Sequence, residues 1–354
     1  MLRKDKLIGA MPESMDGILV TSELNIRWLC GFPYTDGYIL VTRHKSYVIT
    51  DFRYIEAAKA QVGPGFEIVM MQGSTAALIT SLLEENGVKT LGFEDEEMSC
   101  AVFSRMQKNY PGVEFAPIGS LIADQREYKD ESELADITAA QRIAEAALDH
   151  ILGYITPERT EQEVALELEY FMRQKGASGT SFETIAVSGS ASSRPHGVPR
   201  DCKLEKGFLT MDFGALYNGY CSDMTRTVCI GRADDEMKRL YQTVLNAQLA
   251  AIDFIAPGVK CADCDKVARD IIDGAGYKGC FGHSLGHGVG MFIHESPRLS
   301  SGAGDKVLGK GHVVTVEPGI YLEGKYGVRI EDMMYIGDTD ARLITNCPKQ
   351  LIEL

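Results

Sequence analysis

Four acidic side chains draw attention, and two of them, Asp212 and Glu317, interrupt runs that are otherwise apolar. Asp212 occurs in "LTMDFG" and Glu317 in "VTVEPG". Asp223 follows the first of these in "GYCSDMTRT", and Glu331 follows the second in "GVRIED". A carboxylate buried without a partner costs several kcal/mol or stays protonated, and four such groups in one place would repel one another. Cations bound between the carboxylates would keep them ionised, so we expect a metal site.

The charge of this site predicts two divalent ions, because two M²⁺ balance four carboxylates. Metal coordination lowers the pKa of a bound water towards about 7, which makes that water a nucleophile at neutral pH. His287, in "GHGVG", is the candidate nitrogen ligand, and its neighbouring glycines let the backbone pass close to the site. An oxygen-rich set of this kind is typical of Mn²⁺, Co²⁺ or Fe²⁺ rather than of structural zinc. We expect Mn²⁺ first, with Co²⁺, Fe²⁺ and Zn²⁺ as alternatives.

Histidine is concentrated in one stretch of the chain. Of the seven histidines, His283, His287 and His294 all lie within "GHSLGHGVGMFIHESP". One of the three is the expected metal ligand, and we expect the other two to serve the substrate. The histidines that match no motif are interpreted as surface or packing residues; they are His44, His150 and His312.

The elements that position these residues occur twice. "FLTMDFGALYNGYCSDMTRTVCIG" (208–231) is echoed by "VVTVEPGIYLEGKYGVRIEDMMYIG" (313–337), and both predict a β-hairpin with a glycine-containing turn. In each hairpin one acid lies on the outgoing strand and one on the returning strand, so the side chains can converge on one face. Two such halves would pack about a pseudo-twofold axis with their hairpins facing one another. Asp332, beside Glu331, is expected on the opposite strand face, as a solvated acid or a group behind the ligands.

Helical signals precede each hairpin. The charge-dense segment "DQREYKDESELADITAA" is typical of a linker, and it runs into a long alanine-rich helix that is predicted over Glu131–Tyr154. A second helix is predicted to begin at the capping-box pattern of Thr160 and Glu163. A further helical pattern follows Pro257 and ends near Gly276.

The segment before the linker alternates strands with helices. The short apolar runs "GILVTS", "GYILVT" and "SYVITD" predict strands within residues 17–50. Helical patterns follow around Tyr54–Val62, Ala76–Asn86 and Cys100–Tyr110. Because such alternation is typical of α/β domains, we expect two domains, an α/β domain over residues 1–124 and a catalytic domain over residues 125–354.

The bulk composition narrows the class of protein. Of 354 residues, 45% are hydrophobic and 24% are charged, which is typical of a globular protein. The net charge of −14 argues against a nucleic-acid partner or an anionic membrane surface, and no apolar run approaches the roughly 20 residues of a membrane span. Nine scattered cysteines predict free thiols and a cytoplasmic location. Packing on one helix face is the preferred explanation for the spacing of Cys261 and Cys264.

These motifs resemble those of the pita-bread metallopeptidases, a family that includes methionine aminopeptidase, aminopeptidase P and prolidase. The resemblance spans residues 125–345 and rests on "PHG", "DFGALYNGYCSDMTRT", "HSLGHGVG", "HESP", "VEPGIY" and "GVRIED". The motifs "NIRWLCGF", "GYILVT" and "YVITDFRYIEAA" are similar to the creatinase-type N-terminal domain that aminopeptidase P and prolidase carry. The implied fold is an α/β creatinase-like N-terminal domain followed by an α+β pita-bread catalytic domain with a pseudo-twofold internal repeat.

The resemblance also implies a role for each metal ligand. Asp212 would chelate one ion, and Asp223 and Glu331 would bridge both ions. His287 and Glu317 would bind the second ion, and Glu317 would also move a proton from the attacking water.

The same resemblance implies a substrate-binding set. His294 would contact the scissile carbonyl or the oxyanion, and His196, in "RPHG", would line the pocket near the scissile amide. His283 would hold the prolyl side of the substrate. Arg329 would support the bridging glutamate or steer the substrate. We therefore expect His196, His294 and Glu317 to be the catalytic residues.

The expected function is that of a dinuclear metallo-exopeptidase that removes an N-terminal residue preceding proline. An Xaa-Pro amide has no N–H and its ring fixes φ, so we expect a dedicated pocket. The preferred assignment is an Xaa-Pro aminopeptidase, and the alternative is an Xaa-Pro dipeptidase (prolidase) that acts on dipeptides. The extra N-terminal domain disfavours a methionine aminopeptidase, and the intact ligands disfavour a metal-free hydrolase or a non-catalytic binding module. The resemblance further implies a homodimer.

Overall fold

A computed structural model describes every residue from Met1 to Leu354. The chain divides into two compact units, Met1–Arg126 and Glu127–Leu354. That these units are separate domains with a boundary at residue 124 stays a prediction. No helix of the protein combines the length and the apolar character needed to cross a membrane.

The first unit is an α/β unit, as the alternating pattern predicts. Its helices are α1 Arg3–Ala10, α2 Glu23–Cys30, α3 Ile55–Gln61, α4 Thr75–Glu85, α5 Cys100–Asn109 and α6 Ala123–Arg126. Its strands are β1 Gly17–Val20, β2 Tyr38–Thr42, β3 Ser46–Thr50, β4 Glu67–Met70, β5 Thr90–Phe93 and β6 Glu114–Pro117. They form one sheet in the order β4-β3-β2-β1-β5-β6, antiparallel across β1, β2 and β3 and parallel elsewhere. The three strands predicted within residues 17–50 are confirmed as β1, β2 and β3.

The second unit contains four long helices in two pairs. They are α7 Glu131–Tyr154, α8 Glu161–Gln174, α9 Asp235–Phe254 and α10 Cys261–Ile272. The predicted bounds of α7 are confirmed, and a capping box between Asp130 and Glu133 fixes its N-terminus. The predicted capping box of Thr160 and Glu163 begins α8. After α10 the chain adds one π-helical turn in which Gly276 has a φ of 92°, so the helical pattern ends where expected.

The strands of the second unit are distributed over four sheets. They are β7 Gly179–Thr180, β8 Ile185–Ser188, β9 Gly207–Phe213, β10 Ala215–Tyr217, β11 Tyr220–Cys221, β12 Met224–Ile230, β13 Gly286–Gly288, β14 Glu295–Leu299, β15 Val313–Val316, β16 Gly319–Leu322, β17 Tyr326–Arg329, β18 Asp332–Ile336 and β19 Ala341–Leu343. The strand orders are β11-β10-β7, β12-β9-β8, β14-β13-β15-β18-β19 and β16-β17.

Both predicted hairpins form, but each is split into an inner and an outer ladder. In the first hairpin β9 pairs with β12, while β10 and β11 pair beyond them in a different sheet. In the second hairpin β15 pairs with β18, and β16 pairs with β17. A Cβ on Gly214, between β9 and β10, would lie 1.9 Å from the carbonyl oxygen of Ser222, so only glycine fits where the chain changes sheet. The four acids of interest lie at these breaks; they are Asp212, Asp223, Glu317 and Glu331.

Each helix pair covers its own hairpin with a separate apolar core. Leu148 of α7 and Leu168 of α8 pack in a cluster with Phe213 of β9. Leu240 of α9 packs in a second cluster with Val314 of β15. Complete burial of one such side chain contributes about 1.5–3 kcal/mol. The two cores therefore hold the inner ladders, and with them the acids, on firmly packed elements.

Candidate metal centre and active site

One cavity of about 390 Å³ is lined by every residue that the sequence predicts for the site. This volume is at the lower end of the range for small-ligand sites, about 300–1,000 Å³. The predicted residues in its lining are His196, Asp212, Asp223, His283, His287, His294, Glu317, Arg329 and Glu331.

Direct hydrogen bonds between the two hairpins bring the acids together. The N–H of Glu331 donates to the carbonyl of Thr225 at 3.2 Å, and the hydroxyl of Thr225 donates to Glu331 Oε2 at 2.6 Å. The hydroxyl of Thr227 donates to the carbonyl of Arg329 at 3.0 Å. Strand β12 of the first half is thus bonded to the last residue of β17 and to the residue directly before β18 in the second half. The predicted facing arrangement of the hairpins is confirmed at these contacts.

The tightest cluster in the cavity joins Asp223, His287 and Glu331. Ligand atoms of these three buried residues all lie within 4.8 Å of one another. His287 Nε2 is 3.6 Å from Asp223 Oδ2 and 3.3 Å from Glu317 Oε1. His287 Nδ1 lies 3.1 Å from the carbonyl oxygen of Gly288, which can only accept a hydrogen bond. Nδ1 therefore carries the proton, and Nε2 directs its lone pair at the carboxylates, as a metal ligand requires.

The glycines on either side of His287 have a steric cause. A Cβ on Gly286 would lie 2.0 Å from the carbonyl oxygen of Thr315, and a Cβ on Gly288 would lie 2.1 Å from that of Ser296. Strand β13 runs between β14 and β15 in their sheet, so its backbone passes too close to both for any side chain at these two positions. At these glycines the backbone therefore comes close to the neighbouring strands of its own sheet.

The acids are crowded, and the protein offsets their charge only in part. Burial raises the pKa of Asp223 well above its ordinary value, and the charge of Glu331 raises it further. Burial likewise raises the pKa of Glu331, followed by the charge of Glu317. Burial raises the pKa of Glu317 to about 8. Oδ1 of Asp212 is buried without a hydrogen-bond partner. Oxygen ligands arranged in this way fit divalent cations, which would supply the missing positive charge.

Arg329 is the cation that the protein does supply, and it contacts Asp212 rather than Glu331. Its Nη2 lies 2.5 Å from Asp212 Oδ2. Its Nη1 donates to the hydroxyl of Tyr321 at 2.9 Å, and that oxygen lies 2.9 Å from His283 Nε2. Burial alone would lower the pKa of Arg329, but Tyr321 and Asp212 hold this pKa well above its ordinary value. Arg329 thus connects Asp212 to His283 through one tyrosine.

Two further histidines, His283 and His294, present neutral rings to the cavity. The ring of His294 lies 4.4 Å from that of His287, centroid to centroid, with the planes inclined by 74°. Burial, Arg298 and His196 lower the pKa of His294. Burial lowers the pKa of His283 to about 4. Near pH 7 both imidazoles are therefore uncharged and able to donate or accept a hydrogen bond.

Sequence reasoning missed three residues that shape this cavity. Arg298 lines the cavity, and its guanidinium has no hydrogen bond or ion pair with the protein. It follows His294 by four residues in "HESPRLS", and an arginine so near the histidine cluster was a usable signal. Tyr321 and Thr225 lie inside quoted motifs, but they contact His283 and Glu331, which are 38 and 106 residues away, so only the fold reveals these contacts.

Asp332 is not a solvated acid. It is fully buried, Arg226 Nη2 lies 2.8 Å from its Oδ1, and Lys349 Nζ lies 2.5 Å from its Oδ2. Arg226 also donates to the carbonyl of Glu331 at 2.6 Å. Asp332 therefore lies behind a candidate ligand, which is the second of the two positions expected for it.

Comparison with known proteins agrees with the resemblance. The family model "Metallopeptidase family M24" matches residues 135–338, and the model "Creatinase/Prolidase N-terminal domain" matches residues 3–128. A solved Xaa-Pro dipeptidase from Bacillus anthracis is 42% identical with a TM-score of 0.96, over 99% of each chain. A solved X-Pro aminopeptidase from Thermotoga maritima is 35% identical with a TM-score of 0.93, over 99% of this chain and 100% of that one. An Xaa-Pro dipeptidase of Pyrococcus horikoshii is 36% identical over 351 residues, which cover 98% of this chain and 97% of that protein.

These matches confirm the expected fold. A creatinase-type N-terminal region is followed by a pita-bread catalytic region, in the order that the sequence motifs indicate.

Proposed function

This chain belongs to metallopeptidase family M24, and on that premise we propose that it is an exopeptidase that cleaves the bond between an N-terminal residue and proline. The observation that carries the proposal is one cavity that combines crowded acids, neutral imidazoles and an unpaired guanidinium. Divalent cations bound by the acids would supply an activated water and would polarise the scissile carbonyl.

The proposed metal site holds two divalent ions. Charge balance supports this number, since four carboxylates face one cavity and, among the lysines and arginines, only Arg329 is in ion-pair contact with one of them, Asp212. The oxygen-rich donor set supports Mn²⁺ as the resident metal, with Co²⁺, Fe²⁺ and Zn²⁺ as competitors to be tested. The proposed ligands are Asp212, Asp223, His287, Glu317 and Glu331.

The proposed roles of the other groups follow from their positions. Glu317 lies 3.3 Å from His287 Nε2 and would take the proton of the attacking water. His294, as a neutral donor, and His196 would contact the oxygen of the scissile carbonyl. His283, held by Tyr321, would border the proline ring. The apolar part of the lining, which suits a ring without an N–H donor, comprises Phe182, Ile185, Val198 and Ile293.

Arg329 is assigned a positioning role instead of direct substrate binding. Its guanidinium is buried, and its bonds go to Asp212, Tyr321, Thr225 and the carbonyl of Pro195. These partners occupy the Nε and both terminal nitrogens, so the group best serves to fix the carboxylate of Asp212.

A dipeptide is the substrate that we propose. The two dipeptidase relatives support this choice, and so does Arg298. Its unpaired guanidinium lines the cavity of about 390 Å³ and would bind the free carboxylate of a C-terminal proline. In a longer peptide that carboxylate is replaced by an amide. The aminopeptidase relative supports the alternative, which we expected first from the sequence.

A cleavage assay on the protein loaded with Mn²⁺, Co²⁺ or Zn²⁺ tests the proposal. We expect hydrolysis of Ala-Pro, slower hydrolysis of Arg-Pro-Pro and none of Met-Ala-Ser, with two metal ions per active chain by elemental analysis. Faster cleavage of Arg-Pro-Pro would establish the aminopeptidase alternative. Cleavage of Met-Ala-Ser alone would refute the proline assignment.

A variant of Arg298 separates carboxylate recognition from catalysis. Hydrogen bonds to charged groups contribute about 1.5–3 kcal/mol, so wild type should prefer Ala-Pro over Ala-Pro-amide by about 10- to 150-fold in kcat/KM. Arg298→Met should remove this preference while the metal content stays unchanged. An undiminished preference would exclude Arg298 as the carboxylate anchor.

Two further expectations stay predictions. The nine cysteines are free thiols in the structure, which supports a reducing, cytoplasmic location. A homodimer is expected from the resemblance alone, and sedimentation velocity would measure it.

A further inference from the structure

Glu161 is a buried carboxylate, outside the cavity lining, that binds two distant segments of the chain. It is the first residue of α8 and has no exposed surface. Its Oε1 accepts from the N–H and the hydroxyl of Ser188 at 2.7 and 2.8 Å, and its Oε2 accepts from the N–H of Arg200 at 2.9 Å. The guanidinium of Arg200 adds a bond to each oxygen, at 2.6 and 2.9 Å. Charge-assisted bonds of this kind are roughly twice as strong as neutral ones.

Ser188 and Arg200 flank the segment 189–199, which forms one wall of the cavity. Ser188 ends β8, a 3₁₀ turn follows, and the last five residues of the segment, 195–199, line the cavity and include His196. Arg329 holds the carbonyl of Pro195 at 3.2 Å, but the side chain of His196 has no hydrogen bond in the protein. The position of His196 therefore depends on how firmly the two ends of the segment are held.

We propose that Glu161 is a positioning residue for His196. Its carboxylate clamps both ends of the segment 189–199 and so fixes where the imidazole stands against the scissile bond. The inference rests on the proposed function, which gives His196 its contact with the substrate.

Helix capping does not account for these contacts. The N-terminus of α8 is already satisfied by Thr160 and Glu163, which exchange bonds of 2.8 and 3.1 Å. Glu163 lies two residues from Glu161 in the same first turn, so its charge interacts with the helix dipole in the same way. Glu163→Gln is therefore a matched control that perturbs the helix start without loosening the segment.

Glutamine is the sharpest replacement for Glu161 because it keeps the shape and removes the charge. In either orientation its NH₂ group faces N–H donors, from Arg200 at one oxygen position and from Ser188 and Arg200 at the other. One end of the segment must then lose its anchor.

Hydrogen exchange measured by mass spectrometry tests the clamp without any assay of activity. In Glu161→Gln, peptides covering residues 189–203 should exchange at least about 10-fold faster, which corresponds to the loss of one hydrogen bond to a charged group. The same peptides of Glu163→Gln should exchange as in wild type. Wild-type exchange in Glu161→Gln would overturn the proposal.

A double-mutant cycle on Ala-Pro hydrolysis tests whether the effect passes through His196. Glu161→Gln should lower kcat about 10- to 100-fold, the range for groups that orient an active-site residue, with a much smaller change in KM and an unchanged metal content. In the His196→Ala background the same change should cost less than about twofold, because its target is gone. An equal loss in both backgrounds would contradict a role through His196.

Two provisions keep the outcomes separate. If Glu161→Gln does not fold, Arg200→Lys carries the test, since lysine keeps the positive charge but cannot bind both carboxylate oxygens in a fork; it should show the same faster exchange and the same kcat loss.

If wild type cleaves no Xaa-Pro peptide, the proposed function fails while hydrogen exchange still decides about the clamp. If wild type is active and exchange is unchanged, the clamp alone fails.

Discussion

The second unit contains two groups of buried acids. In one group each carboxylate is paired with a basic side chain of the protein, and in the other it is not. Asp332 is bound by Arg226 and Lys349, and Glu161 is bound by Arg200. Asp223 and Glu331, which are equally buried, have no lysine or arginine in ion-pair contact. The first group is complete within the chain, whereas the second needs positive charge from outside it.

The pKa values show the same contrast. Burial opposes ionisation of Glu161, but the hydrogen bonds from Arg200 and Ser188 overcome it and hold the pKa of Glu161 below its ordinary value. Burial raises the pKa of Asp223, and the neighbouring acids raise it further. A buried acid that costs stability and has no lysine or arginine partner is suited to binding a cation, and this contrast is the physical basis of the proposed metal site.

The largest effect is expected from Asp223→Asn. Replacing one oxygen of a proposed bridging carboxylate by an NH₂ group removes a ligand, so metal binding measured by calorimetry should be lost. Turnover of Ala-Pro should fall by more than the roughly 1,000-fold that loss of one oxyanion-hole donor costs. Asp332→Asn is the matched control, since it alters a buried aspartate outside the cavity lining and should retain metal. Full activity of Asp223→Asn would contradict its role as a ligand.

The second effect concerns stability, where we expect Asp332→Asn to lose more than Asp223→Asn. In chelator-treated protein Asp332→Asn should lower the free energy of unfolding by about 3–5 kcal/mol, because Arg226 and Lys349 are left buried without their counter-charge. Asp223→Asn should cost less than about 1 kcal/mol or even stabilise, since it relieves repulsion between buried acids. Urea unfolding followed by circular dichroism measures both. Equal losses would mean that the two groups of acids do not differ.

Asp212 and Glu317 could be predicted from sequence because each interrupts a local apolar pattern, and Asp223 and Glu331 because they follow in the same two predicted hairpins. The start of α8 was also predictable, because a capping box pairs residues at a fixed spacing in the sequence, and the bounds of α7 followed from its alanine-rich pattern. The side chains that these acids contact were not predictable in this way. Arg329 and Asp212 are 117 residues apart, so only the fold shows that this arginine binds Asp212 and not Glu331. Glu161 gave no signal either, because an acid in the first turn of a helix is ordinary.

A third effect concerns how the free energy of unfolding depends on pH in acidic solution. The pKa of Glu161 is lower in the folded state than its ordinary value of 4.5. Its contribution is therefore fully present above pH 4.5 and is lost as the pH falls through the folded-state pKa. At neutral pH Glu161→Gln should lower the free energy of unfolding by about 1.5–3 kcal/mol, and this difference from wild type should shrink below pH 4.5. A difference that does not depend on pH would show that shape, not charge, holds the two partners.

The smallest effect is expected at the surface pair of Glu158 and Lys203, whose side chains are 77% and 67% exposed. Water screens both charges, and holding two long side chains in one geometry costs entropy, so Glu158→Gln should change the free energy of unfolding by less than about 0.5 kcal/mol. Glu158 lies only three residues before Glu161 and undergoes the same chemical change, so the two variants differ chiefly in burial. A loss at Glu158 as large as that at Glu161 would mean that the number of charges, and not their removal from water, decides what an acid contributes. The distinction between acids that the chain neutralises and acids that await a cation would then have no energetic basis.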